Sequence, residues 1–343
     1  MLLEEVLSLD LDRLTCVISD THVKCHYGKL LEDRFPKAHF FYIKPGEKTK
    51  NFSEVQRLLE KLLELPCDRS MQIVGIGGGV ILDLAGFIAS ILLRGVGYIS
   101  IPTTFLAMVD ASIGGKTGVN TSKGKNLIGS FYPAEKIIVE PKFLLSLSKD
   151  ELQSGFVEAV KHALIYRKSL FTNFEKHSNN LIKMDLDYLT SILPEARQVK
   201  IDIVDKDLKE SGLRKLLNFG HTIGHAVECA CEYQILHGKA VAIGILTECF
   251  IGFKRLILSE KNFKRICKAF EDFDLVFKLP KTINEESFFK ALSKDKKNKN
   301  NQVHMVFLAD IGKYYQVENQ VTFSVTEEEL KEAYIWMTRR FSC

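Results

Sequence analysis

The chain has 343 residues, which is enough for two domains of ordinary size. Its 47 lysines and arginines nearly balance 43 aspartates and glutamates, and the net charge of +4 gives no argument for a nucleic-acid or membrane-surface partner. Glycines, Asp83 and Arg94 interrupt the apolar stretch 74–102, which argues against a membrane span. The eight cysteines form no CxxC pair and the acidic start lacks a secretory signal, so we expect reduced thiols in a cytoplasmic protein.

Up to about residue 150, short apolar segments alternate with helical patterns. Segments rich in β-branched or aromatic residues predict strands at 14–19, 39–43, 71–76, 97–101 and 136–139. Between them, residues 52–65 show helical periodicity, with Val55, Leu58 and Leu62 among the residues of the apolar face. Strands that alternate with helices predict a parallel sheet with helices on its faces.

From Lys149 the pattern becomes mostly helical, as shown by the spacing of Phe156, Val160 and Leu164. The main exception is 302–318, a predicted hairpin that turns near Asp310–Gly312. We therefore predict an α/β, nucleotide-binding-like domain over residues 1–149. A mostly helical domain is predicted over 150–343.

Two segments of the first domain have the composition of anion-binding sites. "VGIGGGVILDLAGFIAS" (74–90) predicts a strand, a glycine cluster and a helix whose N-terminal N–H groups suit a phosphate, although the full GxGxxG spacing is missing. Asp83 in this apolar helix needs a partner, such as a ribose or an amide. Residues 101–129 carry lysines and asparagines among glycines and serines, which indicates a loop for a phosphorylated or carboxylated substrate; an exposed linker is the alternative.

The helical domain contains a second set of candidate residues. Glu158, Lys161 and His162 share one predicted helix face, where Glu158 and Lys161 could equally form a simple ion pair. His221 and His225 are spaced as neighbours on one helix face, and His237 follows. A glutamate and two or three histidines on separate helices could form a zinc-type catalytic site with an open coordination position. Each histidine taken singly is better explained as a partly buried, satisfied side chain, but three histidines and several cations in one segment favour a site.

Several motifs occur together and in a familiar order. They are "GGGVILDLAGFIAS" (77–90), "PTTFLAMVDASIGGKTGVN" (102–120), "GKNLIG" (124–129), "EAVK" (158–161) and "NFGHTIGHAVE" (218–228). In this set the chain resembles the 3-dehydroquinate synthases of the sugar-phosphate cyclase family, over residues 45 to 297. The resemblance implies an N-terminal Rossmann-like NAD-binding α/β domain and a helical metal-binding domain.

The same resemblance implies a reaction. Enzymes of this family convert 3-deoxy-D-arabino-heptulosonate 7-phosphate to 3-dehydroquinate and phosphate, a step toward the aromatic amino acids. A hydroxyl is oxidised by tightly held NAD, phosphate is eliminated, the ketone is reduced again, and an intramolecular aldol step closes the ring. The implied cofactors are NAD and a divalent metal, Zn²⁺ or Co²⁺.

Residue roles follow from the matched motifs. The implied metal ligands are Glu158, His221 and His237. The implied catalytic residues are His225, Asp110, Lys116, Lys161 and Glu210. Phosphate binding falls on Lys116, Asn126 and Lys161, with Arg94 from a second subunit of a homodimer. Carboxylate binding falls on Lys200, Arg214, Asn218 and Lys296. The implied NAD contacts are Glu47, Lys50, Gly78, Gly79, Asp83, Thr103, Thr104 and Lys125.

Two other enzyme classes compete with this interpretation. Another sugar-phosphate cyclase, making 2-deoxy-scyllo-inosose or a valiolone, would use a substrate without a carboxylate, and the presence of Lys200, Arg214 and Asn218 argues against it. A metal-dependent polyol dehydrogenase would consume NAD and would need no phosphate pocket. The presence of the implied phosphate-binding residues, Lys116, Asn126 and Lys161, argues against this class. An inactive NAD- or metal-binding protein is disfavoured because the motif residues are intact.

Overall fold

A computed structural model describes residues 13–232, 234–279, 283–293 and 302–342. The chain divides into two compact units, Met1–Ser148 and Lys149–Cys343. Within the described residues, every helix is too short or too polar to cross a lipid bilayer. The described cysteines, from Cys16 to Cys267, carry free thiols.

The first unit contains the strands β1 (Thr15–Asp20), β2 (His39–Ile43), β3 (Gln72–Gly77), β4 (Gly97–Pro102), β5 (Lys116–Thr121), β6 (Gly124–Phe131) and β7 (Lys136–Ile137). The unit is built on a parallel sheet of five of these strands, in the order β2-β1-β3-β4-β7. Its helices are α1 (Thr21–Arg34), α2 (Phe52–Leu63) and α3 (Gly79–Ile91). The predicted alternation of strands and helices is confirmed, and each parallel pairing is made possible by a crossover connection.

The core of this unit explains why the central strands of its parallel sheet are almost wholly apolar. Strands β1, β3 and β4 are buried along their full length, as is usual for a parallel sheet covered on both faces. Helix α2 buries Val55, Leu58 and Leu62, the face that the periodicity predicted. Asn51 begins this helix, because its side chain accepts a hydrogen bond from the Glu54 N–H at 2.9 Å.

The segment interpreted as a polar loop is instead an antiparallel hairpin. Strands β5 and β6 pair from Lys116–Phe131 to Thr121–Gly124. Backbones approach closely at Gly118 and Gly129, where an added Cβ would lie 2.5 Å and 2.0 Å from carbonyl oxygens of the facing strand. The prediction failed because glycine and asparagine have low strand propensity, and here the cross-strand pairing overrides that propensity.

The second unit is mostly helical, as predicted. Its helices are α4 (Lys149–Tyr166), α5 (Lys168–Lys176), α6 (Ser178–Lys183), α7 (Leu186–Lys206), α8 (His221–Ala230), α9 (His237–Lys254), α10 (Glu260–Asp272), α11 (Glu285–Ser293) and α12 (Glu327–Phe341). Helices α4 and α9 are buried on nearly all sides and therefore form its centre. Short strands complete the unit: β8 (Val303–Met305), β9 (Leu308–Asp310), β10 (Lys313–Tyr314) and β11 (Phe323–Val325).

The hairpin predicted to turn near Asp310–Gly312 is confirmed, because β9 pairs antiparallel with β10. Gly312 has a φ of 75° and lies against the backbone of Lys168, where a Cβ would come within 2.3 Å of the Lys168 nitrogen. Only glycine meets both demands without strain.

Helices α8 and α9 pack closely through glycines. A Cβ on Gly244 of α9 would lie 1.9 Å from the Gly220 carbonyl oxygen and 2.8 Å from the Gly224 nitrogen. Gly220 has a φ of 78° and immediately precedes α8. The buried carboxylate of Glu248, on α9, accepts the Gly220 N–H at 2.8 Å and so fixes the start of α8. The first residue of α8 is His221, so this packing determines where that side chain lies.

Candidate active site

Three helices of the second unit bring Glu158, His221 and His237 together. Glu158 lies in the middle of α4, and each histidine is the first residue of its helix. Glu158 Oε1 lies 3.4 Å from His221 Nε2 and 3.6 Å from His237 Nε2. Ligand atoms about 2.0–2.1 Å from one tetrahedral ion lie about 3.4 Å from one another, so the spacing suits Zn²⁺ or a similar ion.

The oxygen that the two histidines face has no hydrogen-bond partner among the described residues. Glu158 is fully buried, and its Oε1 accepts no hydrogen bond from the described residues. A buried carboxylate oxygen left in this state costs free energy unless a cation fills the gap. Glu158, His221 and His237 each offer one ligand atom, and these atoms all lie within 4.8 Å of one another. The residues present therefore fit a divalent metal.

The electrostatics of this cluster is dominated by burial and by Lys161. Burial raises the pKa of Glu158, but the ion pair with buried Lys161 and the nearby His221 outweigh it and hold that pKa well below its usual range. Burial lowers the pKa of His221. Burial also opposes protonation of His237, but its contacts with Glu158 and Glu228 prevail and raise its pKa to about 10. Without a metal, His237 thus carries the proton that a metal would replace.

His225 lies one turn after His221 on α8 and is exposed. Its ring centroid is 5.5 Å from that of His221 and 6.0 Å from that of His237. Helix spacing alone pairs His221 with His225, whereas the structure groups His221 with His237 around Glu158. His225 therefore lies beside the cluster, outside the group of ligand atoms around Glu158.

Several of the predicted cationic and polar residues lie on α7 or in the segment between α7 and α8. Arg214 and Asn218 belong to the short 3-10 helix Leu213–Asn218, which packs on α7, the helix that carries Lys200. Lys200 and Arg214 are buried. Asn218 Nδ2 donates to Glu210 Oε1 at 2.6 Å, which joins two of the predicted residues. A buried guanidinium in this position suits recognition of a carboxylate.

Asp207 organises this segment, a role that no motif or spacing in the sequence indicated. Its carboxylate accepts the N–H groups of Ser211, Gly212 and Arg214 at 2.8–3.0 Å. Partial burial raises its pKa, but these hydrogen bonds prevail and lower that pKa to about 2. The carboxylate therefore stays ionised at working pH and holds the loop that leads from Lys200 to Arg214.

In the first unit, four of the predicted NAD residues, Gly78, Gly79, Thr103 and Thr104, follow the carboxyl ends of β3 and β4. Gly78 caps α3 and Gly79 begins it, without a side-chain cap on the helix N-terminus. Thr103 donates its N–H to the Gly77 carbonyl at 2.9 Å, and the Thr104 hydroxyl accepts from Ala107 N–H. The carboxyl ends of parallel strands and a helix N-terminus form the usual place for a nucleotide phosphate.

Asp83, predicted to need a ribose or an amide, has an ion pair with buried Lys50. The Lys50 ammonium also donates to Asn126 Oδ1 at 2.6 Å. Asn120, a polar residue of the 101–129 segment to which no specific role was assigned, accepts the Asn126 N–H and donates to Glu47 Oε1 at 2.7 Å. The structure thus joins Glu47, Lys50 and Asp83 with Asn126, a residue assigned from sequence to phosphate rather than to NAD.

The remaining predicted residues are more dispersed. Asp110 lies in a π-helical turn, Ala107–Ala111. Lys116 begins β5 and Lys125 lies on β6 of the hairpin. Arg94 is exposed in a turn in which Leu93, Arg94 and Gly95 all have positive φ. Lys296 lies outside the described residues.

Comparison with known proteins agrees with the motifs. The profile of the 3-dehydroquinate synthase N-terminal domain matches residues 40–154, and that of the C-terminal domain matches residues 155–298. A 3-dehydroquinate synthase of Dictyoglomus thermophilum is 42% identical over 279 residues, covering 81% of this chain and 78% of its own length. One from Thermodesulfovibrio yellowstonii is 36% identical over 334 residues, covering 96% and 92%.

Solved structures give the same fold. A 2-deoxy-scyllo-inosose synthase complexed with carbaglucose-6-phosphate, NAD⁺ and Co²⁺ matches with a TM-score of 0.88 and 26% identity, over 98% of this chain and 93% of that one. A 2-epi-5-epi-valiolone synthase from Streptomyces hygroscopicus with NAD⁺ and Zn²⁺ bound matches at 0.85 and 27% identity, over 98% and 95%. A probable glycerol dehydrogenase from Sinorhizobium meliloti, at 0.61 and 16% identity over 95% and 90%, shares the fold alone.

The profile matches extend over most of the chain. The two relatives are each more than one third identical in sequence to this chain over most of their own length. The resemblance inferred from the motifs is thereby confirmed: the chain belongs to the 3-dehydroquinate synthase family.

Proposed function

We propose that the protein is a 3-dehydroquinate synthase, a phosphate-eliminating lyase that cyclises 3-deoxy-D-arabino-heptulosonate 7-phosphate. The observation that carries the proposal is the buried pair of cations, Lys200 and Arg214, in the unit that holds the Glu158–His221–His237 cluster. A guanidinium presents its N–H donors in a planar fork that matches a carboxylate, so Arg214 suits a carboxylated substrate. Family membership makes the carboxylated sugar phosphate the matching substrate.

The metal and NAD would supply the chemistry that amino-acid side chains lack. When bound, the metal polarises a substrate hydroxyl as a Lewis acid, and NAD takes up a hydride and later returns it. Glu158, His221 and His237 would hold the metal through one oxygen and two Nε2 atoms. The residues at the ends of β3 and β4, with Lys50 and Asp83, would hold NAD in the first unit.

The chain's own residues would then bind anions and move protons. Lys200, Arg214, Asn218 and Lys296 would bind the carboxylate, and Lys116, Asn126 and Lys161 the phosphate. Exposed His225 lies one helical turn from His221, so it would exchange protons with substrate hydroxyls. Asp110 and Glu210 would contact hydroxyls, and Glu210 is already oriented by Asn218.

A homodimer belongs to the proposal because Arg94 is assigned to the phosphate of a second subunit. Three consecutive residues with positive φ, Leu93 to Gly95, hold this exposed arginine in a strained turn. Such strain is usually maintained where function requires it. Light scattering should give twice the chain mass of 38.9 kDa; a monomer at catalytic concentrations would remove Arg94 from the active-site assignment.

The second candidate is a cyclase for an uncarboxylated sugar phosphate, favoured by the high structural similarity to 2-deoxy-scyllo-inosose synthase. The two functions differ at Arg214. We expect Arg214→Ala to raise KM for the carboxylated substrate by about 10- to 100-fold, the loss of one charge-assisted contact, with NAD affinity nearly unchanged. Lys215→Ala, one position along the same 3-10 helix, is the matched control and should leave KM near the wild-type value.

Turnover of a sugar phosphate without a carboxylate, at the same rate as the carboxylated one, would support the second candidate. A defect in NAD binding alone in Arg214→Ala would also contradict the carboxylate assignment. Thermal unfolding of both variants separates a binding effect from loss of the fold.

A further inference from the structure

Glu228 is a buried glutamate that no assignment above uses. It lies on α8, three residues after His225 and seven after His221, and its exposed fraction is 5%. Its Oε2 lies 3.4 Å from Nδ1 of His237, a residue on the next helix. A buried carboxylate needs a reason for its position, and here it faces the side of the imidazole opposite to Glu158.

The His237 ring is contacted at both nitrogens by carboxylates. Nε2 lies 3.6 Å from Glu158 Oε1, and Nδ1 lies 3.4 Å from Glu228 Oε2. An ionised carboxylate can only accept a hydrogen bond, so Nδ1 must carry the proton in the neutral ring. Nε2 then keeps its lone pair on the side of Glu158, which is the state a metal ligand needs.

The backbone at His237 is held separately. Gly238 donates its N–H to the Ser154 hydroxyl at 3.0 Å, and a Cβ on Gly238 would lie 2.1 Å from the Ser154 carbonyl oxygen. This close approach fixes the start of α9 on α4, the helix of Glu158. It leaves rotation of the His237 side chain undetermined, and the contact with Glu228 limits that rotation.

His221 shows the same arrangement with a different partner. Its Nδ1 lies 3.1 Å from the Phe219 carbonyl oxygen, and its Nε2 faces Glu158 Oε1. Both histidines therefore present Nε2 to the same oxygen and anchor Nδ1 elsewhere. A backbone carbonyl orients His221 without adding a charge, whereas Glu228 adds a second negative charge close to the cluster.

We propose that Glu228 is a positioning residue for the metal site: it accepts the Nδ1–H of His237 and so fixes the ring with Nε2 directed at the ion. The role rests on the proposed metal-dependent function, since it has meaning only if His237 binds a metal. Carboxylates that orient a metal-bound histidine also raise the basicity of the ring. Both effects strengthen metal binding.

The test measures Zn²⁺ binding to the full-length protein after removal of metal with a chelator, by competition with a coloured chelator. Glu228→Ala should raise the Zn²⁺ dissociation constant about 10- to 100-fold, the usual effect of losing such a partner. Glu228→Gln keeps an acceptor but not the charge and should show a smaller rise. Glu232→Gln removes a charge just beyond α8 at an exposed residue and should bind like the wild type.

Two further readouts separate positioning from other roles. Metal-free Glu228→Gln should give the wild-type circular dichroism spectrum at the temperature of the binding assay, because a purely structural role would disturb the fold. Wild type should bind one equivalent of Zn²⁺. His225, Glu228 and His237 also have ligand atoms within 4.8 Å of one another, so a second ion bound there is the competing explanation.

Unchanged dissociation constants in both Glu228 variants, with normal binding by the wild type, would overturn the positioning role and leave the proposed function intact. Two equivalents in the wild type and one in Glu228→Gln would replace it by a second metal site. A wild-type protein that binds no Zn²⁺ or Co²⁺ would overturn both proposals. Normal metal binding without synthase activity would contradict the proposed function alone.

Discussion

At the scale of single residues, the second unit places one carboxylate oxygen where two imidazole nitrogens converge. Glu158 is fully buried, faces both histidines with Oε1 and pairs with Lys161. In the metal-free protein, cations hold the Glu158 carboxylate ionised, which its burial alone would oppose. The site is therefore preformed for a divalent ion, with one ligand already deprotonated.

The first prediction compares two histidines that sequence spacing cannot tell apart as ligands. His237→Ala removes one of three ligands, and we expect it to lose tightly bound Zn²⁺ or Co²⁺ together with activity. His225→Ala, at an exposed position one turn from His221, should keep the metal and lose most of the turnover. Metal content of the purified proteins by mass spectrometry checks this. Loss of metal from His225→Ala but not from His237→Ala would show that the ligand set is wrong.

The second prediction concerns protons. The raised pKa of His237, about 10 against an ordinary 6.5, means that its protonation stabilises the metal-free fold fully below pH 6.5 and that this contribution is lost as pH rises through about 10. A metal must displace this proton. Between pH 7 and 9 we therefore expect about one proton released per metal and a dissociation constant that falls about tenfold per pH unit.

Calorimetry in two buffers of different ionisation enthalpy measures the proton directly. His225→Ala, which should keep the metal, serves as the control for protons released by the neighbouring exposed imidazole. Metal binding to the wild type with no proton release at pH 8 would contradict the protonated state of His237.

At the scale of secondary-structure elements, the positions of α8 and α9 depend on backbone contact between glycines. Gly244→Ala would place a Cβ 1.9 Å from the Gly220 carbonyl oxygen, and helix backbones cannot yield by that distance without separating. We expect a loss of about 3 kcal/mol or more in the free energy of unfolding, with weaker metal binding because His221 begins α8.

Gly252→Ala is the matched control on the same helix. There a Cβ would meet Phe307 Cδ1 at 3.5 Å and Leu258 at 3.8 Å, which are ordinary contacts. The higher helix propensity of alanine should stabilise this variant by about 0.5–1 kcal/mol. Urea unfolding of both variants measures the difference, and equal stability would show that α8 and α9 do not depend on the close approach.

The elements also show what a sequence can reveal. Periodicity located the parallel strands, helix α2 and the glycine turn before α3, because each depends on residues within one short segment. The β5–β6 hairpin was missed, since its stability comes from cross-strand pairing of residues with poor strand propensity. The motifs indicated Glu158, His221 and His237. Their spacing alone did not, because they lie on three helices.

Two contacts lay beyond any local pattern. Lys50 pairs with Asp83, 33 positions along the chain, and the partner of that half-buried carboxylate could only be seen in the folded unit. Glu228 reaches His237 across the turn between α8 and α9, nine positions away. Helical spacing puts Glu228 on the same face as His221, but it gives no reason to connect Glu228 with a later residue.

At the scale of the whole molecule, the fold alone does not choose the reaction. A probable glycerol dehydrogenase, which shares this fold at 16% identity, and the cyclases that match more strongly occupy one architecture. What distinguishes a synthase is the fate of NAD. A dehydrogenase consumes one NAD per product, whereas the proposed reaction returns the hydride to the same substrate and leaves NAD unchanged.

The most direct measurement is therefore turnover at limiting NAD. The metal-loaded protein is mixed with 3-deoxy-D-arabino-heptulosonate 7-phosphate and far less NAD than substrate, and phosphate release, NADH absorbance and the product NMR spectrum are followed together. We predict many phosphates released per NAD, no accumulation of NADH and the spectrum of 3-dehydroquinate. NADH that accumulates in step with product, or no phosphate release by folded and metal-loaded protein, would contradict the proposed function.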